Sequence, residues 1–393
     1  MYRYAALLLC LCSCVSVAAQ TLDALVYTLG SGTTADGNGN YPCQLRAFTA
    51  YSNGTLKSVS GSPYASTLCA NGPNSMVVNG NTLFVSSGTQ IFSYAITSST
   101  GALKQTGVID TAANDPDPSD CVFTGMVLDH TGSNMYVLYT DYGNEGPDYL
   151  LNYKVAGSEL NFVAATAAFS PGSNASDENH VPTVSSNNEY LYSTFDDGIG
   201  GFNHGVTVWQ RASNGTLTVP QNFSTKGNPV GWSPYVEYYV SPYGAKADPS
   251  GHLAVLMNFE AGPPYGIVGN PQIGTYTIGS TGSLTTTSTA TNMPFVDVGY
   301  FSDMNMSPSG KVLAIAGDSG LEVFHFNGAS PATTFGWVSR HPQFLLHWDD
   351  ANHLYSLGFD GLTMFTVTTT SGTQNGSPSP IMNGLAMVVL PKT

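Results

Sequence analysis

The sequence feature that most constrains this chain is a repeated pattern of short apolar strands separated by glycine-rich turns. Its clearest copy spans residues 301–328, where Met304 and Met306 alternate with polar residues before a Ser309-Gly310 turn. An apolar run at residues 312–316 follows, and a second turn leads into another alternating segment. Alternation with a period of two between such turns is typical of antiparallel strands. The stretch therefore predicts one small meandering sheet.

Comparable units follow one another along most of the chain. Each offers an inner strand, a turn, a second strand, a turn, and a third strand that leads into a turn with glycine and leucine. The third strands each carry one large aromatic residue: Tyr94, Tyr153, Trp209, Tyr276, Phe324 and Phe365. Roughly 370 residues over seven units gives about 53 per unit, slightly above the ~40–50 residues of a four-stranded propeller blade.

The two ends of the chain complete the count. Residues 23–60 contain the later strands of a unit without an inner strand, and residues 383–390 form an inner strand with nothing after it. Together they make one more unit, and a ring closed in this way has no large open edge. The predicted fold is all-β: a seven-bladed β-propeller, closed by N- and C-terminal strands that share one blade, with residues 20–393 as a single domain.

Residues 1–19 have the pattern of a secretory signal peptide. Arg3 supplies a positive charge, residues 5–11 are apolar, and small residues precede Gln20. An alternative is a lipoprotein signal, with Cys14 as the lipidated residue. No later stretch is long and apolar enough to span a bilayer. We therefore expect a secreted or periplasmic protein.

Composition excludes several classes of partner. The net charge is −15, with only 11 lysines and arginines, so no basic patch is available for nucleic acid or an anionic membrane. Charged residues make up only 9% of the chain, which suits a turn-rich extracellular β protein. We expect a monomer.

Three cysteines remain once the leader is removed: Cys43, Cys69 and Cys121. In an oxidising compartment one disulfide is expected, most simply Cys43–Cys69 within the first unit. Cys121 is then either a nucleophile or, more commonly for a free cysteine, a buried small hydrophobe. No spacing of cysteine and histidine predicts a metal site.

Several turn and strand motifs recur: residues 94–103, 247–253, 276–284 and 307–313. In these the chain resembles the lactonase-type seven-bladed β-propellers, which include bacterial 6-phosphogluconolactonases and a fungal muconate cyclase. The resemblance covers residues 23–390 and implies the propeller fold and hydrolysis of a lactone. An Asn-Glu pair of the family is matched, with one residue inserted, by Asn258 and Glu260.

Other functional positions of the family differ here. Histidines before an early inner strand are replaced by residues 119–123, and an Arg-His pair by residues 242–244. An Asn-Arg pair is replaced by Gly317-Asp318. A phosphorylated lactone would need arginine forks, and of three arginines after the leader only Arg340 lies near a predicted inner strand. The substrate expected is therefore a neutral lactone.

Closure of seven blades would bring polar residues from distant parts of the chain to one face of the channel. Residues proposed as catalytic are Glu260, Asp303 and His341; residues proposed to bind substrate are Asp120, Asp141, His180, Asp196, Asp318, Arg340, Asp360 and Tyr243. Paired carboxylates with a histidine suit general acid–base chemistry, and several acids on one face could instead bind Ca²⁺.

Some of these residues also have a structural explanation, whereas Asp303 and His341 precede inner strands outside any glycine turn. Asp318 and Asp360 sit in turn sequences in which Asp accepts hydrogen bonds from the local backbone. Asp129 and Asp248 belong to turns at the opposite face, and His347 is expected to be a satisfied core histidine. No metal ligand or cofactor is assigned.

Aromatic residues crowd the connection between units four and five: Trp232, Tyr235, Tyr238, Tyr239 and Tyr243. Such rings suit an uncharged carbohydrate or lactone, or they cover a blade edge. Two functions follow from the sequence: an exported hydrolase of neutral lactones, or a non-catalytic propeller that binds a glycan or a protein partner.

Overall fold

A computed structural model describes residues 21–32, 42–65, 68–70, 75–116, 121–141, 148–168, 178–196, 205–218, 221–224, 239–261, 266–267 and 270–392. The predicted leader and Asp120 lie outside these residues, and so do Trp232, Tyr235 and Tyr238. The described residues form seven antiparallel sheets, which confirms the predicted seven-bladed propeller.

The first four blades take their strands from residues 22–224 and from one C-terminal strand. Blade 1 contains β1 (Leu22–Ser31), β2 (Cys43–Tyr51), β3 (Leu56–Ser58), β4 (Tyr64–Ala65) and β31 (Met382–Pro391). Blade 2 contains β5 (Met76–Asn79), β6 (Thr82–Ser87), β7 (Gln90–Ile96) and β8 (Leu103–Asp110). Blade 3 contains β9 (Cys121–Leu128), β10 (Asn134–Asp141), β11 (Tyr149–Ala156) and β12 (Glu159–Ala167). Blade 4 contains β13 (Glu178–Asn179), β14 (Thr183–Val184), β15 (Tyr190–Asp196), β16 (Gly205–Gln210) and β17 (Gln221–Ser224).

The remaining blades are continuous in sequence. Blade 5 contains β18 (Tyr239–Ala247), β19 (His252–Ala261), β20 (Gly266–Ile267), β21 (Gln272–Ile278) and β22 (Leu284–Thr285). Blade 6 contains β23 (Phe301–Met306), β24 (Val312–Gly317), β25 (Gly320–Asn327) and β26 (Ser330–Ser339). Blade 7 contains β27 (Gln343–Trp348), β28 (His353–Gly358), β29 (Gly361–Val367) and β30 (Gly372–Ser379). Two 3₁₀ helices, Leu68–Ala70 and Ala112–Asn114, lie in connections.

The ring closes through blade 1. Strand β31 pairs antiparallel with β1, with Val26 opposite Val389, and becomes the inner strand of the blade that β1 begins. Next to this pairing, the Lys392 backbone N–H donates to the Asp23 carbonyl oxygen at 2.7 Å. Each inner strand then contacts the inner strand of the next blade around the ring. Closure by terminal strands that share one blade is therefore confirmed.

The hydrophobic core lies between neighbouring blades. The aromatic residue predicted for each third strand is on that strand, and Tyr153, Trp209 and Phe324 are fully buried. The disulfide Cys43–Cys69 joins β2 to the first 3₁₀ helix with its Cα atoms 5.5 Å apart, which confirms the predicted pairing. Cys121 begins β9.

A repeated hydrogen bond ties blades together and explains the glycine of the recurring turns. Tyr27 on β1 donates to the Gly101 carbonyl in blade 2 at 3.1 Å, and Tyr192 on β15 donates to the Gly282 carbonyl in blade 5 at 3.1 Å. Both glycines have a positive φ, +77° and +79°. A Cβ on either would lie 2.7 Å from a side chain of the neighbouring blade, so only glycine fits.

Candidate functional site

The loops before the inner strands and the turns between second and third strands lie on one face, called here the upper face. This follows from the antiparallel order of each blade, in which the first strand begins beside the end of the second. Asp129 and Asp248 instead lie in turns between first and second strands, on the lower face. There each carboxylate accepts hydrogen bonds from the local backbone, as expected for turn residues.

Several predicted site residues are placed by their backbone alone. Glu260 is the second-last residue of β19 and pairs with Tyr239, the first residue of β18. Asp141 and Asp196 are the last residues of β10 and β15. All three positions are therefore at the upper face. Tyr243 lies on β18 where the pairing register shifts between its two neighbours. The side chains of these four residues lie outside the described part of the structure.

Asp303 joins two blades. From the inner strand β23, its Oδ2 accepts the backbone N–H of Leu346 on the inner strand β27 at 2.8 Å. Its Oδ1 accepts the N–H of Met304 at 2.7 Å. Burial raises the pKa of Asp303, and the nearby Lys246 cation and the two N–H groups offset part of that rise. The carboxylate thus lies in the wall of the central channel, and both of its oxygens are occupied.

His347 lies on the next inner strand and shares this part of the channel wall. Its Nδ1 is 3.1 Å from the Trp348 carbonyl oxygen. Burial lowers the pKa of His347, the hydrogen bond to Trp348 opposes that shift, and the charge on Lys246 adds to it. A neutral, hydrogen-bonded and half-buried imidazole agrees with the structural role expected for this residue.

His341 and Asp360 form a pair on the upper face. His341 lies between β26 and β27, and its Nδ1 is 3.3 Å from Asp360 Oδ2 in the turn between β28 and β29. Both side chains are well exposed, at 74% and 55%. A carboxylate at Nδ1 favours the tautomer that carries its proton there, which leaves Nε2 as a hydrogen-bond acceptor open to solvent. The pair can therefore act on a bound molecule.

Arg340 is held beside this pair. Its guanidinium carbon lies 3.7 Å from the centre of the Trp337 ring, a cation–π geometry. Gly320 packs so closely beneath it that an added Cβ would lie 3.0 Å from the Arg340 Cα. The other two arginines after the leader also have structural partners: Arg46 donates to the Pro380 carbonyl, between β30 and β31, and Arg211 binds Asp129.

Asp318 links the start of blade 6 to the same region. Its Oδ1 accepts the Tyr300 backbone N–H at 2.8 Å, and its own N–H donates to the Tyr300 carbonyl at 3.1 Å. The turn that Asp318 begins runs directly into Gly320, beneath Arg340. Asp318 is therefore both a turn residue and an exposed carboxylate of the upper face.

The structure brings four of the predicted residues together on blades 6 and 7, and we call them the blade 6–7 cluster: Asp318, Arg340, His341 and Asp360. His180 lies apart in blade 4, where its N–H donates to the Thr194 carbonyl at 3.0 Å. Asp303 lies in the channel wall, and Glu260 belongs to blade 5.

Sequence reasoning missed the exposed aromatic residues beside this cluster. Tyr300, Phe359 and Phe295 expose 82%, 73% and 60% of their surface. The available signal was their position, because each stands in a connection where a polar residue is usual. Phe359, for example, occupies the turn between β28 and β29 directly before Asp360.

Within the described residues, no group of three or more histidine, cysteine, aspartate or glutamate side chains is placed to hold a metal ion. The side chains of Glu260, Asp141 and Asp196 are not among them, so a Ca²⁺ site that includes these acids stays a prediction. No helix of the described chain is long and apolar enough to cross a membrane.

Comparison with known proteins relates the chain to other propellers by structure. No protein-family model matches the sequence, and the search of curated proteins gives no match. A proposed 6-phosphogluconolactonase from Bacteroides uniformis is similar in structure, with a TM-score of 0.61 and 12% identity over 94% of this chain and all of that one. The periplasmic gluconolactonase of Pseudomonas aeruginosa has a TM-score of 0.61 and 14% identity, over 94% and 99%. At such identities the likeness establishes the fold, that of lactonase-like seven-bladed propellers.

Proposed function

We propose that this protein is an exported hydrolase of neutral lactones and that the reaction takes place at the blade 6–7 cluster. The observation that carries the proposal is the His341–Asp360 pair, 3.3 Å apart on the upper face of the propeller. Asp360 fixes the imidazole so that Nε2 can accept a proton from water. A positioned imidazole of this kind is the commonest general base in enzymes.

In the proposed reaction, water attacks the lactone carbonyl carbon while His341 Nε2 accepts its proton. The tetrahedral intermediate carries a negative oxygen, and Arg340, the residue before His341 in the chain, offers N–H donors to it. The ring C–O bond then breaks, and the proton on His341 passes to the leaving oxygen. The product is the open-chain hydroxy acid, and no other reactant is consumed.

The arginines favour a neutral substrate. Arg46 and Arg211 are bound to the Pro380 carbonyl and to Asp129, and Arg340 is the arginine directly before His341 in the chain. One guanidinium, stacked on Trp337 and interacting electrostatically with Glu322, makes a poor site for a phosphate dianion. The gluconolactonase of Pseudomonas aeruginosa, similar in fold, supports an unphosphorylated sugar lactone and, being periplasmic, supports export.

Glu260 and Asp303 have supporting roles in this proposal. Asp303 positions the inner strand β27, which begins two residues after His341, through its hydrogen bond to the Leu346 N–H. Glu260 is a candidate to bind hydroxyl groups of the substrate from blade 5. Loss of Asp303 is expected to lower both stability and activity.

The test is the rate of proton release from D-glucono-δ-lactone and from its 6-phosphate, after subtraction of spontaneous hydrolysis. His341→Asn is expected to lower kcat by about 10²–10⁴-fold, the usual contribution of a general base. Asp360→Asn should lower it less, and Glu260→Gln and Asp303→Asn are measured alongside. His130→Asn and Asp350→Asn, on the lower face, serve as matched controls and should keep the wild-type rate. Equal rates for wild type and His341→Asn, or no turnover of either lactone, would show the proposal to be wrong.

A further inference from the structure

We propose that the upper face of blades 5–7 binds a neutral oligosaccharide through an aromatic band formed by Phe295, Tyr300, Trp337 and Phe359. The inference goes beyond lactone hydrolysis, because a chain of sugar residues can bind there whether or not a lactone is cleaved beside it. The rings concerned differ from the aromatic residues between units four and five that the sequence first suggested.

The band is exposed to an unusual degree. Tyr300, Phe359 and Phe295 expose 82%, 73% and 60% of their surface, more than any other large hydrophobic side chain described. All three stand on one side of the propeller: Phe295 and Tyr300 precede β23, and Phe359 follows β28. Exposed apolar side chains that form a patch on one face, unlike single scattered ones, mark an interaction site.

The rings are presented by rigid backbone. The Tyr300 backbone N–H donates to the Asp318 carboxylate at 2.8 Å, and the Tyr300 carbonyl accepts the Asp318 N–H at 3.1 Å. Phe359 packs edge-on against Phe344, with ring centres 4.7 Å apart. Phe295 lies in a backbone bridge with Gln272, the first residue of β21. A ligand that binds them therefore loses little free energy to ordering of the protein.

A series of contacts links Tyr300 in blade 6 to Phe359 in blade 7. The turn from Asp318 connects Tyr300 to Gly320, and an added Cβ on Gly320 would lie 2.9 Å from the Trp337 ring. Arg340 covers that ring at 3.7 Å, and the next residue, His341, reaches Asp360 beside Phe359. These contacts connect the segment that carries Tyr300 to the turn that carries Phe359.

Polar groups alternate with the rings, and this pattern identifies the ligand. Asp318, Arg340, His341 and Asp360 supply acceptors and donors between apolar surfaces, as needed by a sugar with hydroxyl groups on its rim and C–H groups on its face. The core of a protein interface is poor in charged residues, and an acidic polymer would meet two carboxylates and a net charge of −15. A neutral oligosaccharide can bind among charged side chains and is not repelled by the carboxylates.

The experiment uses the mature protein and three neutral probes: cellohexaose, xylohexaose and maltohexaose. Binding is followed by titration calorimetry and by tryptophan fluorescence, to which Trp337 in the band contributes as one of four tryptophans. Tyr300→Ala and Phe359→Ala are each expected to weaken binding about tenfold, the effect of losing one stacked ring. Tyr300→Phe keeps the ring and should bind like wild type. Phe162→Ala removes a 42%-exposed aromatic residue on the outer strand of blade 3 and is the matched control.

Saturable binding of one probe that both alanine variants weaken, with Phe162→Ala unaffected, supports the proposal. Three results overturn it: none of the probes binds, the alanine variants bind like wild type, or sedimentation shows that the band buries itself between two copies of the chain. Thermal melts of each variant exclude unfolding as the cause. Because none of these measurements uses a lactone, they stand apart from the test of hydrolysis.

Discussion

Replacement of Arg211 by methionine should loosen the junction between blades 3 and 4. Arg211 pairs with Asp129, and the two side chains expose only 8% and 0% of their surface. The guanidinium also donates to the Tyr136 hydroxyl at 2.9 Å and to the Asn188 carbonyl at 3.1 Å. Methionine fills most of the volume but leaves the Asp129 carboxylate buried without its cation.

The size of the effect follows from what remains around Asp129. Breaking a buried ion pair by removing one partner costs about 3–5 kcal/mol. Asp129 would keep its hydrogen bonds from Asn134, Ser133 and Thr131, at 2.8, 2.9 and 2.9 Å. Although burial raises the pKa of Asp129, these hydrogen bonds lower it overall, so the acid stays charged at neutral pH. We therefore expect a loss near the lower limit, about 3 kcal/mol.

The assay is the thermal midpoint of unfolding. With an unfolding entropy of about 0.8 kcal/mol per kelvin for a chain of this length, Arg211→Met should lower Tm by about 4 °C. Arg340→Met, which removes an exposed cation, should change Tm by less than about 1 °C. The double variant Asp129→Asn/Arg211→Met should lose less than the sum of the single variants, because no unpaired charge remains. A Tm for Arg211→Met within about 1 °C of wild type would refute the reasoning.

Three further measurements test the ring closure and its supports. The hydrogen bond that His353 Nδ1 donates to the Asp349 carboxylate raises the pKa of His353. The stability this pair contributes is therefore complete below the unfolded pKa of about 6.5 and is lost as pH rises through the folded value. Tm should fall more between pH 6 and 9 for wild type than for His353→Asn, and parallel profiles would contradict this. Tyr27→Phe should cost about 1 kcal/mol by removing the hydrogen bond to blade 2, measured by urea unfolding. Replacing Cys43 and Cys69 by serine should cost about 2–4 kcal/mol, and reduction of the wild type should reproduce that loss.

Much of the fold was predictable because its determinants are local. Alternating residues such as Met304 and Met306 define strands, and glycines of positive φ such as Gly101 and Gly282 define turns, so the units are visible without knowing what they contact. The shared blade was predictable as well, since an inner strand lacking at one end of the chain appears at the other. The repetition of the strand units indicated how the blades are arranged in a ring, although no contact between blades can be read from the sequence.

The site was less predictable because its contacts are not local. The sequence suggests that Asp303 precedes an inner strand as an unpaired acid. In the structure it lies on β23, and its carboxylate accepts the Leu346 N–H of the neighbouring blade. Asp129 looks like a simple turn residue and also holds Arg211, which is 82 positions away. The exposure of Tyr300 depends on the loops around it, and sequence patterns do not report the shape of a surface.

The pairing of β1 with β31 also has a consequence for how the chain is made. Val26 can pair with Val389 only after the C-terminal strand has been synthesised, so blade 1 lacks its inner strand while the other blades are made. During that interval β1 presents an unpaired edge, which is a template for strands of other chains. Contacts of such large sequence separation also form slowly. The ring is therefore most vulnerable to mispairing in the time between translation of its first strand and translation of the strand that closes it.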